Sequence, residues 1–452
     1  MTTGIALDSE RTTPARTADI PDAIRIAAMV AILLVMVVGV DPFHDGTAPG
    51  NIESGAGGNL LNQVLFLAIG AGAGALFLYR GLAVLRPLAS APILITLAWF
   101  CLVTATSTDP AVSGRRLVSL LIMLGAAVAL PLLARDVRQF AGVLGGTALA
   151  ILIVCYLGLV VVPDLSMHTA LDLREPEHAG SWRGLYAHKN GAGVLMSAFL
   201  FVGLFCARAG HGALGATVAA LSALFLAFTN AKTSMVLAPA TLILSWLCLL
   251  SPAGWWRRLV LLGPLAALLT VTLGAVLLPP VGELVGRITG DASFTGRTDI
   301  WAFAAENVAR RPLTGFGYGA FWESVFYGGG ADALSWVNKA TDAHNGYLNT
   351  ALETGIPGLA LTLWWFVWRP VSDLQNRVAG RRIDPVALLF LRIWLFGLLA
   401  AVFETILYHA TNGLFFLMAM SVFGLRYLAC APVIAQASDR KVVAGFRKNP
   451  MQ

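Results

Sequence analysis

The sequence predicts an all-α, polytopic membrane protein with about twelve transmembrane helices. Of its 452 residues, 57% are hydrophobic and only 12% are charged. A soluble domain carries roughly 25% charged residues, so half that density leaves too little polar surface to coat a globule of this size. The apolar segments are also continuous and about 20 residues long, as membrane-spanning helices are, whereas membrane β-strands are shorter and alternate in polarity.

Twelve apolar segments predict the individual spans, and the third is the shortest of them. They are residues 23–40, 60–79, 91–106, 115–134, 139–162, 190–207, 212–229, 233–250, 259–278, 346–368, 386–406 and 411–429. The first segment follows an acidic stretch and lacks a small-residue cleavage site, so we expect a retained helix and not a cleaved signal peptide. All five cysteines lie in or at the ends of apolar segments, which predicts neither a disulfide framework nor a structural zinc site.

The distribution of Lys and Arg predicts the orientation of the spans. Short cytoplasmic loops collect cations, and most cations fall on the inner side when the N-terminus is placed in the cytoplasm. Both termini are then cytoplasmic, with a tail of residues 1–22, nine spans over 23–278, three spans over 346–430 and a tail of 431–452. Two outer loops, 163–189 and 279–345, are long and carry cations. Either these cations have a function or long loops are exempt from the charge rule.

The large outer loop contains a predicted amphipathic helix within residues 295–319. Apolar side chains recur there at helical spacing, namely Ile300, Phe303, Ala304 and Val308. We expect Thr298 or Asp299 to cap the start of this helix, and Pro312 with Gly315 to end it. The helix should lie over the membrane face. Arg297 falls in the first turn, where a guanidinium and free N–H groups could bind phosphate. The alternative is an exposed surface arginine.

The next outer segment places a histidine at the mouth of the tenth span. An imidazole at a membrane boundary can accept a proton from a hydroxyl near neutral pH, so His344 is a candidate general base. Asp342 or Asn345 could orient its ring. The alternative is an interfacial histidine that caps the helix. Glu353 follows inside the span, where a carboxylate is costly and is usually functional or paired.

Two further outer segments carry cations toward the same face. Arg183, His188 and Lys189 form a compact group before the sixth span, and Lys232 lies before the eighth span. The simpler explanation is that these side chains extend along the membrane interface to reach water. Alternatively, these two segments and the two that carry Arg297 and His344 converge on one face, where their cations would offset the charge of a pyrophosphate-bearing lipid. The smaller loop also has acidic residues that either neutralise these cations or solvate the loop: Asp172, Glu175 and Glu177.

Four motifs resemble those of the O-antigen ligase and polymerase superfamily and occur in the family's order. They are R-G-L-Y-A-H-K-N-G-A-G, T-N-A-K-T-S, G-R-T-D-I-W followed by R-P-L-T-G-F-G-Y-G-A-F, and H-N-G-Y-L-N-T-A-L-E-T-G-I-P-G-L around His344. The motifs lie within residues 180–360, and the predicted topology extends the resemblance to the whole chain. Lys232 departs from the family pattern, because many members carry arginine at this position. A lysine ammonium cannot make the paired, bidentate hydrogen bonds that a guanidinium makes.

The resemblance implies a GT-C-like glycosyltransferase of the bacterial inner membrane, with its active site facing the periplasm. Such an enzyme takes an undecaprenyl-diphosphate-linked oligosaccharide and transfers its glycan to an acceptor sugar hydroxyl with inversion. The resemblance implies no metal or other cofactor, and the chain has no D-x-D metal motif. By position, His344 would activate the acceptor, and the pyrophosphate would be bound by Arg183, Arg297, Lys189 and Lys232. Supporting residues would be Asp342, Asn345, Tyr347, His188 and Asn190.

The acceptor stays open, because the family contains polymerases that extend the glycan, ligases that transfer it to lipid A-core, and protein-directed transferases. The H-K-N-G form of the motif before the sixth span most resembles exopolysaccharide polymerases. A polysaccharide polymerase is therefore the expected activity, with the lipid bilayer and polysaccharide export or chain-length proteins as partners and no nucleic acid. A glycan transporter or flippase also fits twelve spans, but carriers often have a long central cytoplasmic loop, which is lacking here. A non-catalytic scaffold would make the convergence of cations accidental.

Overall fold

The computed structural model describes residues 20–39, 41–45, 60–172, 175–250, 254–289, 294, 296–322, 342–378 and 384–430. Regular structure in these residues is helical, apart from isolated β-bridges, one of which joins Met167 and Trp182. The predicted all-α fold class is therefore confirmed. The predicted C-terminal tail, nearly all of the N-terminal tail and residues 323–341 of the large loop lie outside the described residues.

Helices occupy all twelve segments predicted as spans. The first nine, α1 to α9, are Asp22–Val37, Leu60–Arg80, Ala91–Ala105, Pro110–Leu133, Val137–Val161, Lys189–Arg208, Gly212–Phe228, Lys232–Leu250 and Trp255–Leu277. The following helices, α10 to α15, are Pro279–Thr289, Arg297–Arg310, Gly346–Thr362, Arg369–Val378, Pro385–Ala400 and Gly413–Cys430. Short elements are the helical turn Pro163–Ser166, the 3-10 helices Leu82–Leu88 and Pro176–His178, and the π-helical stretch Leu363–Trp368 between α12 and α13.

Seven helices in the described part of the chain are long and apolar enough to cross a membrane: α2, α4, α5, α6, α8, α9 and α15. The helix α3 meets this standard only together with the 3-10 helix Leu82–Leu88, and the two are bent by 94°. The helices α7 and α14 are apolar but shorter. The chain is therefore a multi-pass membrane protein. Twelve crossings, cytoplasmic termini and outer long loops stay predictions.

The helix α14 lies at the centre of the bundle. All of its residues from 386 to 400 are buried, as expected of a helix that is apolar on every side. It packs against α6, α8 and α15. The helices α6 and α7 form an antiparallel hairpin whose backbones touch, because a Cβ at Gly203 would lie 2.6 Å from the backbone nitrogen of Ala219. This packing holds α6, whose N-terminal end carries part of the candidate site.

The predicted amphipathic helix is α11, and its buried face is centred on Trp301 and Ala304, both 0% exposed. The expected cap was wrong. Thr298 and Asp299 lie inside the first turn, and the residue before the helix is Gly296 in a left-handed conformation with no side-chain cap. The end agrees with the prediction, because the helix stops at Arg310, shortly before Pro312.

The eleventh predicted segment, 386–406, ends as a helix at Ala400. Beyond that point, backbone carbonyls find partners outside the helix. The N–H of Gly346 donates to the carbonyl of Ala401 at 2.7 Å, and the guanidinium of Arg297 donates to the carbonyl of Phe403. Residues 401–412 therefore form a loop against the N-terminal ends of α11 and α12, which we call the crossing loop.

Candidate active site

His344 stands directly before the tenth predicted span, with its backbone in the left-handed region at a φ of 45°. A residue other than glycine adopts this conformation at a cost, and such residues cluster at functional sites. The cap of α12 is the next residue, Asn345, whose side chain accepts hydrogen bonds from the N–H groups of Tyr347 and Leu348 at 3.1 and 3.0 Å. The His344 ring is thus not the helix cap, and its side chain is 34% exposed.

Two carboxylates face Nδ1 of His344. Asp342 Oδ1 lies 3.7 Å away and Glu404 Oε2 lies 3.8 Å away. Asp342 Oδ1 also accepts the backbone N–H of His344 at 2.7 Å. Burial acts to lower the pKa of His344, but the negative charges of Asp342 and Glu404 outweigh burial, and the pKa lies above its ordinary value. These carboxylates favour the imidazolium, the form that a general base takes after accepting a proton.

Glu404 joins three segments that are distant in sequence. Its Oε1 accepts hydrogen bonds from Arg297 Nη2 and from Asn190 Nδ2, both at 2.9 Å, while Oε2 faces His344. Burial acts to raise the pKa of Glu404, but its contacts with His344 and Arg297 bring the pKa below the ordinary value. An ionised carboxylate therefore links the start of α6, the start of α11 and the start of α12.

The crossing loop also fixes Arg297 and Asp342. Arg297 is in the first turn of α11, as predicted, and its side chain is 15% exposed. Thr405 donates its hydroxyl to Asp342 at 2.6 Å. Burial acts to raise the pKa of Asp342, but the charge of His344 and the Thr405 hydrogen bond bring it below the ordinary value. The result is a site with one imidazole, one guanidinium and two ionised carboxylates, which we call the His344 cluster.

Arg183 is buried within the loop 163–189 and is only 1% exposed. Its guanidinium donates to the carbonyls of Asp164 and Ala187 at 3.2 and 3.3 Å and lies 3.9 Å from the carboxylate of Asp172. Burial lowers the pKa of Arg183, and the charge of Asp172 opposes this. All three partners belong to the same loop. In this conformation Arg183 organises the loop, and the structure does not bring its guanidinium to Glu404.

Two histidine rings hold the start of α6. His188 Nδ1 accepts the N–H of Asn190 at 3.1 Å, and His168 Nε2 accepts the N–H of Lys189 at 3.1 Å. His168 Nδ1 lies 2.7 Å from Asp172. Burial lowers the pKa of His168 to about 4, so the ring stays neutral near pH 7 and keeps the lone pair that accepts from the backbone. These contacts fix Asn190, the residue that reaches Glu404.

Two of the acidic residues singled out in the smaller loop, Asp172 and Glu175, have defined partners. Glu175 Oε2 lies 2.6 Å from His188 Nε2, and Glu175 Oε1 lies 3.9 Å from His178 Nε2. The interaction with His188 lowers the pKa of Glu175 to about 2. Asp172 contacts His168, as described above, and lies 3.9 Å from the guanidinium of Arg183. Of the two explanations left open by the sequence, neutralisation of a nearby cation therefore applies to Asp172, whereas Glu175 contacts the imidazoles of His188 and His178.

The two predicted lysines begin neighbouring helices. Lys189 is the first residue of α6, and its ammonium donates to the carbonyl of Asn230 at 3.5 Å. Lys232 is the first residue of α8 and is exposed. The charges of the two lysines repel each other. Both ammonium groups thus lie at the same end of the bundle, close to the turn that carries Asn190.

Tyr347 and Glu353, which the sequence also singled out, make contacts that stabilise α12. Tyr347 is 2% exposed and donates its hydroxyl to the carbonyl of Leu398 at 3.0 Å, which ties α12 to α14. Glu353 accepts a hydrogen bond from Asn349 at 3.0 Å and interacts with the charge of Arg116. This carboxylate of the predicted tenth span is therefore paired, one of the two outcomes that the sequence indicated.

Sequence reasoning missed Glu404, Thr405 and His168. Glu404 lies inside the eleventh predicted span, where a carboxylate is costly and is usually functional or paired. Glu404 could therefore have been identified on the same grounds as Glu353. His168 had no comparable signal, because its partners depend on how the loop folds.

Residues 217–363 match the family model described as O-antigen ligase. The matched segment includes Lys232, Arg297 and His344, whereas Arg183 precedes it and Glu404 follows it. The match supports the superfamily that the four motifs indicated. No curated protein sequence matches the chain at a significant level.

Proposed function

We propose that this member of the O-antigen ligase superfamily is a glycosyltransferase that moves a glycan from undecaprenyl diphosphate to an acceptor sugar hydroxyl. The observation that carries the proposal is the His344 cluster, in which Glu404 contacts His344, Arg297 and Asn190. An imidazole beside carboxylates can activate a hydroxyl. A guanidinium in the first turn of a helix can bind an anionic leaving group.

In the proposed reaction, His344 removes the proton of the acceptor hydroxyl while the hydroxyl oxygen attacks the anomeric carbon. Nδ1 faces Asp342 and Glu404, so the ring proton is favoured on Nδ1 and Nε2 keeps the lone pair that accepts the hydroxyl proton. The two carboxylates stabilise the imidazolium that results. Attack from the face opposite the phosphate inverts the configuration at the anomeric carbon.

The bond between the anomeric carbon and the phosphate oxygen breaks, and its electron pair leaves with undecaprenyl diphosphate. Arg297, Lys189 and Lys232 would stabilise the negative charge that develops on this leaving group. Arg183 is also part of the proposed diphosphate site, where it would act by holding the loop 163–189 against α6. His188 and Asn190 position the start of α6. Because these side chains supply positive charge, the proposed reaction needs no metal ion.

We place this site at the periplasmic face of a bacterial inner membrane. The multi-pass fold supports a membrane location, and the bias of loop cations supports twelve crossings with both termini in the cytoplasm. In that topology the N-terminal ends of α6, α8 and α12 all face the periplasm. The His344 cluster then lies at the membrane boundary, where a lipid-linked donor presents its diphosphate.

A polysaccharide polymerase is the proposed specific activity, supported by the H-K-N-G form of residues 188–191. Ligation to lipid A-core is the second candidate, supported by the description of the matching family model. A polymerase would use a second lipid-linked glycan as acceptor and would work beside polysaccharide export or chain-length proteins.

The test is an incubation of purified protein with a defined undecaprenyl-diphosphate oligosaccharide, with and without lipid A-core. Lengthening of the lipid-linked glycan supports a polymerase, and transfer only in the presence of lipid A-core supports a ligase. Turnover in EDTA would support a reaction without a metal. Movement of the substrate across vesicles without any transfer would overturn the enzyme proposal in favour of a transporter.

The matched variants for this assay are H344A and H211Q. Removal of a general base typically slows a reaction about 10²–10⁴-fold, and we expect a loss in this range for H344A. His211 lies beyond the opposite end of α6, where Nε2 contacts the carbonyl of Arg138 at 3.0 Å, so H211Q should keep wild-type turnover. A folded H344A protein with normal turnover would refute the role of His344.

A further inference from the structure

We propose that Glu175, His178 and His188 bind a divalent transition-metal ion such as Zn²⁺ on the loop before α6, and that this ion inhibits the enzyme. One ligand atom from each residue lies within 4.8 Å of the others. The side chains of Glu175, His178 and His188 are 42%, 25% and 32% exposed, so an ion in solution can reach them. Two imidazoles and a carboxylate form a zinc donor set that leaves the fourth position open.

The observed distances require little rearrangement. Ligand atoms bound to tetrahedral zinc at about 2.0–2.1 Å lie about 3.4 Å apart. Glu175 Oε1 lies 3.9 Å from His178 Nε2, and Glu175 Oε2 lies 2.6 Å from His188 Nε2, so the distances from the two carboxylate oxygens bracket this value. The ring centroids of His178 and His188 are 5.7 Å apart. A small rotation of the carboxylate and of the His178 ring would bring all three ligand atoms around one ion.

A third histidine, His168, lies beside this triad but is not a ligand. Its Nδ1 lies 2.7 Å from Asp172 and its Nε2 accepts the N–H of Lys189, so both ring nitrogens are engaged. The proposed site therefore has three protein ligands, and water or another small ligand would complete the coordination. None of the three ligands contributes directly to the His344 cluster in the described residues.

Metal binding at His188 would disturb the start of α6. His188 accepts the N–H of Asn190 through Nδ1, which places the ring proton on Nε2. A metal ion needs the lone pair of Nε2, so the proton must move to Nδ1. Nδ1 then stops accepting the N–H of Asn190, and the first turn of α6 loses a cap. Asn190 also donates its side-chain N–H to Glu404 at 2.9 Å, so the change reaches the carboxylate beside His344.

Direct metal binding is measured on tag-free protein in detergent by titration with Co²⁺, whose visible absorption reports tetrahedral coordination, with Zn²⁺ as the competitor. We expect one ion per chain and binding at least about tenfold weaker in E175Q and H178A. H211Q is the matched control and should bind as the wild type does. A wild-type protein that binds no Co²⁺, or an H178A protein that binds it equally well, would overturn the site.

The inhibition rests on the proposed function, whereas the metal site does not. Zn²⁺ should lower wild-type turnover, a chelator should restore it, and H178A should keep its turnover in the presence of Zn²⁺. Stoichiometric binding with unchanged turnover would overturn the coupling through His188. If metal-free wild-type protein fails to transfer glycan, the transferase proposal fails, and the Co²⁺ titration still decides the metal site.

Discussion

Replacement of Glu404 by glutamine tests whether its charge acts on His344. The variant E404Q keeps an oxygen that can accept from Asn190, which now donates to Glu404 Oε1 at 2.9 Å, but it removes the negative charge. Two unit charges 3.8 Å apart, the separation of Glu404 and His344, interact by about 1 kcal/mol in bulk water and about 4 kcal/mol at an effective dielectric constant of about 20. Both side chains are partly exposed, so we expect about 1–2 kcal/mol.

This energy sets the size of the effect. Since 1–2 kcal/mol corresponds to a factor of about 5–30, the alkaline plateau of kcat/KM should fall by up to that factor. The pKa of His344 should fall in E404Q, because a charge that raises it has been removed. The base of the free enzyme must be unprotonated, so the acidic limb of the kcat/KM profile should move to lower pH.

The assay is the pH profile of kcat/KM with a lipid-linked donor and a fixed acceptor. The matched control is E283Q, because the ion pair of Glu283 with Arg287 on α10, at 3.5 Å, is exposed. The pH profile of E283Q should coincide with that of the wild type. If E404Q loses activity equally at every pH and its acidic limb does not move, the electrostatic action of Glu404 on His344 is refuted.

Three further substitutions test separate parts of the structure. Arg297→Ala removes the guanidinium beside Glu404, so kcat should fall about 10²–10³-fold, as for loss of a charge-stabilising donor. Arg297→Lys should have an intermediate kcat, and equal steady-state rates in wild type and R297A would contradict the prediction. Asn345→Ala removes the side-chain cap of α12 and should cost about 1 kcal/mol, seen as a lower Tm in detergent; an unchanged Tm would count against the cap. Gly203→Leu should destabilise the α6–α7 hairpin by about 1–3 kcal/mol. Gly146 faces open space on α5, so Gly146→Leu should not destabilise the protein. Similar Tm values for the two variants would exclude backbone contact at Gly203.

Helix positions were largely predictable because the apolar segments are long and continuous. The start of α11 was not, because its first residue follows a left-handed glycine and no side-chain cap marks it. The end of α14 was also missed. Ala401, Val402 and Phe403 continue the apolar pattern in sequence, but carbonyls beyond Ala400 accept from Gly346 and Arg297. Local pattern cannot reveal a helix end that is set by contacts with distant segments.

The candidate site was predictable in its residue types and incomplete in its geometry. His344, Arg297 and Asn190 were named from motifs, and Glu404 brings all three together. The convergence of cations on one face suggested an anion site. It did not indicate the carboxylates of Glu404 and Asp172, which lie beside Arg297 and Arg183. Arg183 illustrates the limit, because its motif position predicts a binding role and only the fold shows that it is 1% exposed.

The pairing of Arg297 with Glu404 bears on how the proposed donor and base could be coupled. At rest, Glu404 shares its charge between Arg297 at 2.9 Å and His344 at 3.8 Å. A donor diphosphate that takes hydrogen bonds from Arg297 must compete with Glu404 for the same guanidinium. Once Arg297 turns to the diphosphate, the Glu404 carboxylate is less neutralised and acts more strongly on the imidazole. In the proposed mechanism, His344 therefore becomes a stronger base when the leaving group is bound, so proton removal from the acceptor is favoured only in the presence of the donor.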